Sequence, residues 1–258
     1  MPKLAVFLLL MTLASVSQAL PVDSSLVGYW SFNDGTAVDT STFGNNGSFA
    51  NGALTGAGKS GLGLHLDGSN DFVSVGVLSG LPSATMTKAF WIRFDDSAKF
   101  DEFQYPMDFG GNNSWVEKLE DGFDGFSGSR IRAAGGSAAG FGDHSQEVFA
   151  DTWYFIAVTT VAGGDNSIFI NGVKEYVSTA DTTLPGALTI GAGFGGTQYF
   201  VDGVMDEVTV WNRVLSDSEV ADLMQNGVTV PTPNTVALVL LGLILMGFRC
   251  RMLAVALR

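Results

Sequence analysis

Residues 201–213 constrain the chain more than any other stretch. Val204, Asp206, Val208 and Val210 alternate with Met205, Glu207, Thr209 and Trp211. A period of two, carried by β-branched residues, specifies a strand with two unlike faces. Beyond it, Ser216 and Glu219 have the spacing of a capping box. Val220, Leu223 and Met224 then share one helical face, and Gly227 is placed to stop the helix. The pattern predicts a last strand running into one short helix. Asp206 breaks it, because it falls on the face of Val204 and Val208. A carboxylate there is costly unless hydrogen-bonded, paired or bound to a metal. Pattern alone leaves two readings open, a cap for a nearby loop and a metal ligand.

The same period recurs upstream in short pieces. Residues 27–32 place Trp30 and Phe32 on one face. Leu62, Leu64 and Leu66 alternate with Gly63, His65 and Asp67, and residues 72–75 continue after a turn at Gly68-Ser69-Asn70. Phe90, Ile92 and Phe94 alternate with Trp91 and Arg93. Residues 153–160 are nearly all apolar or β-branched and read as a central strand buried on both faces. Asn171-Gly172 marks a hairpin. Residues 188–191 and 199–201 lead into the closing strand. Residues 40–58 read mostly as loop, and 95–149, rich in glycine and aromatics, are the least regular. Regularly spaced short strands without a long helix predict an all-β, two-sheet antiparallel sandwich. No internal repeat points to a solenoid or propeller.

Four motifs carry a family resemblance. Asp206-Glu207-Val208, followed by Trp211-Asn212-Arg213-Val214-Leu215-Ser216, resembles the closing motif of concanavalin A-like, laminin-G-type jelly-roll domains of secreted bacterial proteins. The family opens with Tyr-Trp-x-Phe, which Tyr29-Trp30-Ser31-Phe32 matches. Asp39-Thr40-Ser41-Thr42-Phe43-Gly44-Asn45-Asn46-Gly47 fits a second signature, and residues 64–75 a third. The resemblance implies a jelly roll whose first and last strands run side by side, with a structural calcium ion near their ends. Carried onto this sequence, Asp34 and Asp206 supply carboxylates, and Asn33, Asn45 or Asn46 add amide or carbonyl oxygens, a donor set suited to Ca²⁺.

Charge narrows the partners. Between residues 20 and 230 stand all 26 Asp and Glu but 9 Lys and Arg. Such a surface repels phosphate backbones, which argues against nucleic acid. The sole cysteine, Cys250, lies in the tail, so residues 20–228 have neither disulfide nor thiolate metal site. His65 and His144 are isolated and read as ordinary polar residues.

The two ends differ from the middle. Residues 1–19 read as a signal peptide: Lys3, an apolar run over 4–13, and a Ser17-Gln18-Ala19 cleavage site. Residues 229–258 form a linker and a hydrophobic tail. Val230-Pro231-Thr232-Pro233, an apolar run and Arg249-Cys250-Arg251 resemble the PEP-CTERM sorting signal read by exosortases in Gram-negative bacteria, although Thr232 stands where that signal usually has Glu. A plain membrane anchor is the alternative. The domain between them spans residues 20–228.

Concanavalin A-like enzymes that resemble laminarinases carry alternating carboxylates on one strand, and that spacing is absent here. The Glu117-Lys118-Leu119-Glu120-Asp121 cluster reads as a polar loop. Saccharides bind aromatic faces flanked by polar groups, which makes Trp115, beside Asn112 and Asn113, the candidate platform; the alternative is that the aromatics of this region fill the core. The function expected is an exported, non-catalytic module for a glycan or another surface partner, held at the cell envelope or in extracellular matrix. Two alternatives stand: a glycan-active enzyme using Asp101, Glu102, Glu117, Glu120 or Asp124, and a self-associating matrix protein.

Overall fold

A computed structural model describes residues 20–21, 24–110, 114–121, 127–135, 145–179 and 185–229. The expected signal peptide, the hydrophobic tail beyond residue 229, and Asn112, Asn113, Asp124 and His144 lie outside the described residues.

In chain order the elements are β1 (Leu20–Pro21), β2 (Leu26–Trp30), β3 (Ser48–Ala50), β4 (Leu54–Ala57), β5 (Leu62–Asp67), β6 (Phe72–Val77), β7 (Met86–Phe94), β8 (Gln104–Asp108) and β9 (Ser114–Lys118). They continue with β10 (Ser129–Gly135), β11 (Glu147–Val148), β12 (Trp153–Thr160), β13 (Asp165–Ile170), β14 (Val173–Thr179), β15 (Ala187–Ile190), β16 (Asp202–Trp211), α1 (Asp217–Asn226) and β17 (Val228–Thr229). One sheet has the order β11-β10-β9-β8-β15-β6-β3. The other runs β14-β13-β12-β7-β16-β5-β4, with β2 also paired to β16. Within both sheets every pairing is antiparallel. The expected two-sheet sandwich is therefore what forms. β1 and β17 make a separate parallel pair.

The core lies between the sheets, where Trp30, Phe32, Phe90, Phe94, Phe109 and Ile156 are fully buried. Each such side chain contributes roughly 1.5–3 kcal/mol over an exposed one. The second sheet also buries its outer face: Val220 and Leu223 of α1 cover Leu26, Tyr29, Phe155 and Trp211. This double burial explains the continuous apolar run of β12, which sends Tyr154, Ile156 and Val158 inward and Phe155 and Ala157 outward. The Ser216–Glu219 capping box is formed, and Gly227 ends the helix with φ of 67°. At the β13–β14 hairpin, Asn171 and Gly172 both have positive φ, as a two-residue type I′ turn requires.

Three sequence expectations need correction. First, β16 does not alternate without a break. Its pairing with β7 steps from Asp206–Trp91 to Thr209–Ala89, so one extra residue is inserted, and Glu207 takes φ of 51°. This bulge flips the phase. Met205 and Val208 both enter the inner core although strict alternation puts them on opposite faces. Second, residues 40–58 hold the edge strands β3 and β4, whose exposed or half-buried residues carry no apolar alternation. Third, residues 95–149 supply four strands, β8 to β11. Charged residues inside them hid the period: Glu117 and Lys118, expected in a loop, are buried in β9.

Lys88 is the sharpest departure from apolar patterning. It points between the sheets, in phase with Met86, Phe90 and Ile92, and is fully buried. Its Nζ donates to Ser114 Oγ at 3.2 Å and lies 5.5 Å from the Phe109 ring. Burial lowers its pKa to about 7, against the opposing pull of Asp108. The folded pKa is below the unfolded one, so the unfolded chain binds the extra proton between them. Stability therefore rises as pH climbs from about 7 towards 10.5. We expect Lys88→Met to raise stability by about 1–4 kcal/mol at pH 6 and to flatten that rise, read by thermal unfolding across pH. A lower melting temperature with an unchanged pH slope would contradict this.

Candidate functional site

The outer face of the first sheet carries an aromatic cluster. Val116 and Met107 face each other across β9 and β8 and point into the core, which sends Trp115 and Glu117 outward. On β10, Arg132 stands opposite Glu117, and its Nε donates to Glu117 Oε1 at 2.5 Å. Tyr105 of β8 is the hub. Its ring stacks on Tyr199 at 5.1 Å and 17°, and lies 5.6 Å from Trp115 and 6.1 Å from Phe194. Phe103 meets Tyr199 edge-on at 5.7 Å. Phe194 is 55% exposed and Tyr199 36%, whereas Tyr105 is buried.

Backbone strain presents the two exposed rings. Phe194 and Tyr199 have φ of 51° and 55°, a region that bulky residues rarely occupy. The bridge between Gly193 and Gln198 closes their loop, and Tyr105 N–H donates to the Tyr199 carbonyl at 2.9 Å. Strain of this kind persists only where the surroundings hold it, and it concentrates at functional sites. Beneath the rings, burial pushes the Tyr105 hydroxyl up, and hydrogen bonding to Glu117 reinforces it. Burial also raises the Glu117 carboxyl, against the pull of Arg132 and of the Tyr105 hydroxyl.

A cleft of about 370 Å³ opens at one end of this cluster. Phe103, Tyr199 and Phe200 supply apolar surface, and Ser69, Lys99, Glu102, Glu120 and Gln198 supply polar groups. Lys118 shapes its lip from inside. The ammonium donates to the carbonyls of Phe100, Glu102 and Leu119 and to Ser129 Oγ, and so pins the segment bearing Lys99, Glu102 and Phe103. Asp202 Oδ2 fixes the other end of that segment through Ser97 Oγ at 2.5 Å. Ring faces beside convergent donors and acceptors can cover the C–H surface of a saccharide while binding its hydroxyls.

Of the expected binding residues, Trp115 joins the cluster, half-buried, with the Arg132 guanidinium 5.2 Å from its ring. Asn112 and Asn113 lie outside the described residues. Glu102 and Glu120 line the cleft, Asp101 is exposed nearby, and Glu117 is buried in its ion pair. Phe194 and Tyr199 were missed by sequence reasoning. The available signal was two aromatics bracketing the Gly195-Gly196 pair, in a segment that also reads as a simple approach to the last strand.

The five residues of the calcium expectation are placed as follows. Asp34 Oδ1 accepts from Thr36 N–H and Oγ1 at 2.9 and 2.7 Å, closing its own turn. Asn33 Oδ1 accepts from Leu62 N–H. Asn45 Nδ2 donates to the Val27 and Ser79 carbonyls, and Asn46 Oδ1 accepts from Asp39 N–H. Asp206 is fully buried; Oδ2 accepts from Ser60 N–H and Oδ1 from Glu207 N–H, both at 2.8 Å. Gly58 has to lack a Cβ here, since one would stand 2.6 Å from Asp206 Oδ2. Asn33 and Asp206 thus grip the same turn, residues 58–62, while Asn45 ties the 39–47 loop to β2 and Asn46 closes that loop on itself. Among the described residues no group of three or more His, Cys, Asp or Glu is clustered to hold a metal.

A family model described as "Concanavalin A-like lectin/glucanases superfamily", of laminin G type, matches residues 67–221, more than half of the chain. The chain belongs to this superfamily. Domain 4 of AbnA, an extracellular GH43 arabinanase from Geobacillus stearothermophilus solved in complex with arabinotriose, is similar at 19% identity and TM-score 0.60, over 78% of this chain and 98% of that one. The binding domain of Paraclostridial Mosquitocidal Protein 1 is similar at 17% identity and TM-score 0.57, over 78% and 52%. The binding domain of Botulinum Neurotoxin DC, solved in complex with SialylT, gives 14% and 0.57, over 78% and 50%. The chain spans about half the length of these toxin binding domains. At such identities the likeness is one of fold. No match was found among curated protein sequences.

Burial raises the Asp206 pKa to about 6, opposed by its backbone hydrogen bonds. A raised folded pKa means that its contribution is fully present below the unfolded value and is lost as pH rises through about 6. Removing the carboxylate deprives the Ser60 and Glu207 N–H groups of their acceptor, at about 0.5–1.5 kcal/mol for each hydrogen bond. We expect Asp206→Ala to lower the melting temperature equally in calcium and in chelator. A loss seen in calcium but not in chelator would instead make Asp206 a metal ligand.

Proposed function

We propose that this superfamily member is a non-catalytic carbohydrate-binding module whose ligand lies on the exposed rings of Phe194 and Tyr199 and enters the adjoining cleft. One observation carries the reading. Two aromatic side chains are held open to solvent in a strained loop, over a stacked and hydrogen-bonded support, beside a cleft with polar groups on its rim. Both rings pack on Tyr105 yet keep much of their surface in solvent, and a costly backbone conformation that holds them so favours a ligand. The domains of AbnA and of the neurotoxin that share this fold were solved with arabinotriose and SialylT, which supports the ligand class.

The segments at the two ends extend the proposal. Residues 1–19 direct export, and residues 229–258 hold the chain in the inner membrane until an exosortase-type enzyme sorts it to the envelope or matrix of a Gram-negative bacterium. A catalytic reading has one observation in its favour, since Glu102 and Glu120 line the same cleft. It predicts saccharide turnover that Glu120→Gln abolishes, where the binding reading predicts none.

The test is a glycan array probed with the full chain, followed by titration calorimetry on the best ligand. Phe194→Ala and Tyr199→Ala should each weaken binding by about 1–3 kcal/mol, roughly five- to 150-fold, with little effect on the melting temperature. Absence of binding across the array, or wild-type affinity in both variants, would overturn the assignment.

A further inference from the structure

We propose that the cleft selects by charge, accepting neutral or amine-bearing saccharides and rejecting those that carry carboxylate, sulfate or phosphate groups. This rests on the saccharide reading of the same cleft. The reason is the state of the cations around it. Lys99, which lines the cleft, pairs its ammonium with Glu102 at 3.3 Å. Lys118 lies beneath the lip with its ammonium committed to the carbonyls of Phe100, Glu102 and Leu119. Arg132, under the ring cluster, is held by Glu117. An anionic sugar would have to break one of these arrangements to find a counterion.

The carboxylates are differently placed. Glu120 is exposed on the cleft wall and has no ion-pair partner among the described residues. Asp101 and Asp121, with Glu102 and Glu120, are near enough to act electrostatically on Lys118. Asp67 and Asp202 flank the Gly68 side, where a Cβ on Gly68 would meet Asp202. A cleft walled by protein focuses this one-sided field on whatever enters. Carboxylate oxygens accept hydrogen bonds from hydroxyl or ammonium groups, and they repel another anion in the same space. Selection here is therefore partly repulsive: the aromatic rings hold any sugar face, and the acidic wall decides which ones stay.

The experiment uses the full chain on an array holding neutral oligosaccharides, chitosan oligomers as the amine-bearing class, and oligogalacturonates and heparin fragments as the anionic class. Calorimetry follows on the best ligand of each class at low and high salt. Neutral or amine-bearing ligands should bind at least tenfold more tightly than anionic ones at low salt, and high salt should narrow the gap. Glu120→Lys should narrow it about tenfold, and Glu120→Gln, nearly isosteric at an exposed position, should act in the same direction without disturbing the fold. Anionic ligands binding as tightly as neutral ones, or a gap untouched by both variants, would overturn charge selection and leave the saccharide site standing. Binding of no class at all would overturn the saccharide reading, and charge selection with it.

Discussion

The buried carboxylate of Asp206 is the interaction on which the sandwich turns. β16 is the longest strand, and along one edge it has two successive partners, β5 over residues 202–205 and β2 over residues 208–211. Where one partner gives way to the other, the edge would be left with unpaired backbone. Asp206 fills that gap by accepting from Ser60 and Glu207 N–H groups. The bulge at Glu207 lets the strand continue in the opposite phase, and Glu207 itself accepts from the Tyr29 hydroxyl at 2.5 Å. One short acidic sequence therefore changes the partner, resets the phase and ties β2 to β16.

The other signature residues do comparable work. Asp39 accepts from the N–H groups of Tyr29, Ser41 and Asn45, and Trp30 Nε1 donates to the Asn45 carbonyl at 3.0 Å. Asp67 Oδ1 closes its turn onto Ser69 N–H at 2.9 Å. These are short polar side chains satisfying backbone donors in glycine-rich connections, where no ladder is available. They make the motifs legible in the sequence, because they fix loops by local chemistry.

Legibility followed the same division. β7, β12, the Asn171-Gly172 hairpin, β16 and α1 were readable because a period, a turn signal or a cap marked each one. The phase shift within β16 was not, since a bulge leaves no mark in an alternating string. The strands of residues 104–135 were hidden by Lys118, Glu117 and Arg132, charges buried through partners that lie far away in sequence. Trp115 could be named as a platform candidate because a lone tryptophan among polar residues is conspicuous. Phe194 and Tyr199 could not, because their exposure depends on a loop closed by the Gly193–Gln198 bridge and on stacking against Tyr105 from another part of the chain.

The most direct test of the account is to locate a bound saccharide by backbone NMR on the chain titrated with its best glycan ligand. The account predicts that shifts concentrate at residues 99–105, 115–120 and 193–200 and leave the α1 side of the second sheet unmoved. Shifts centred instead on the opposite face, around Lys59 and Trp91, would contradict it: the aromatic cluster would then be an ordinary surface and the ligand would belong to another part of the fold.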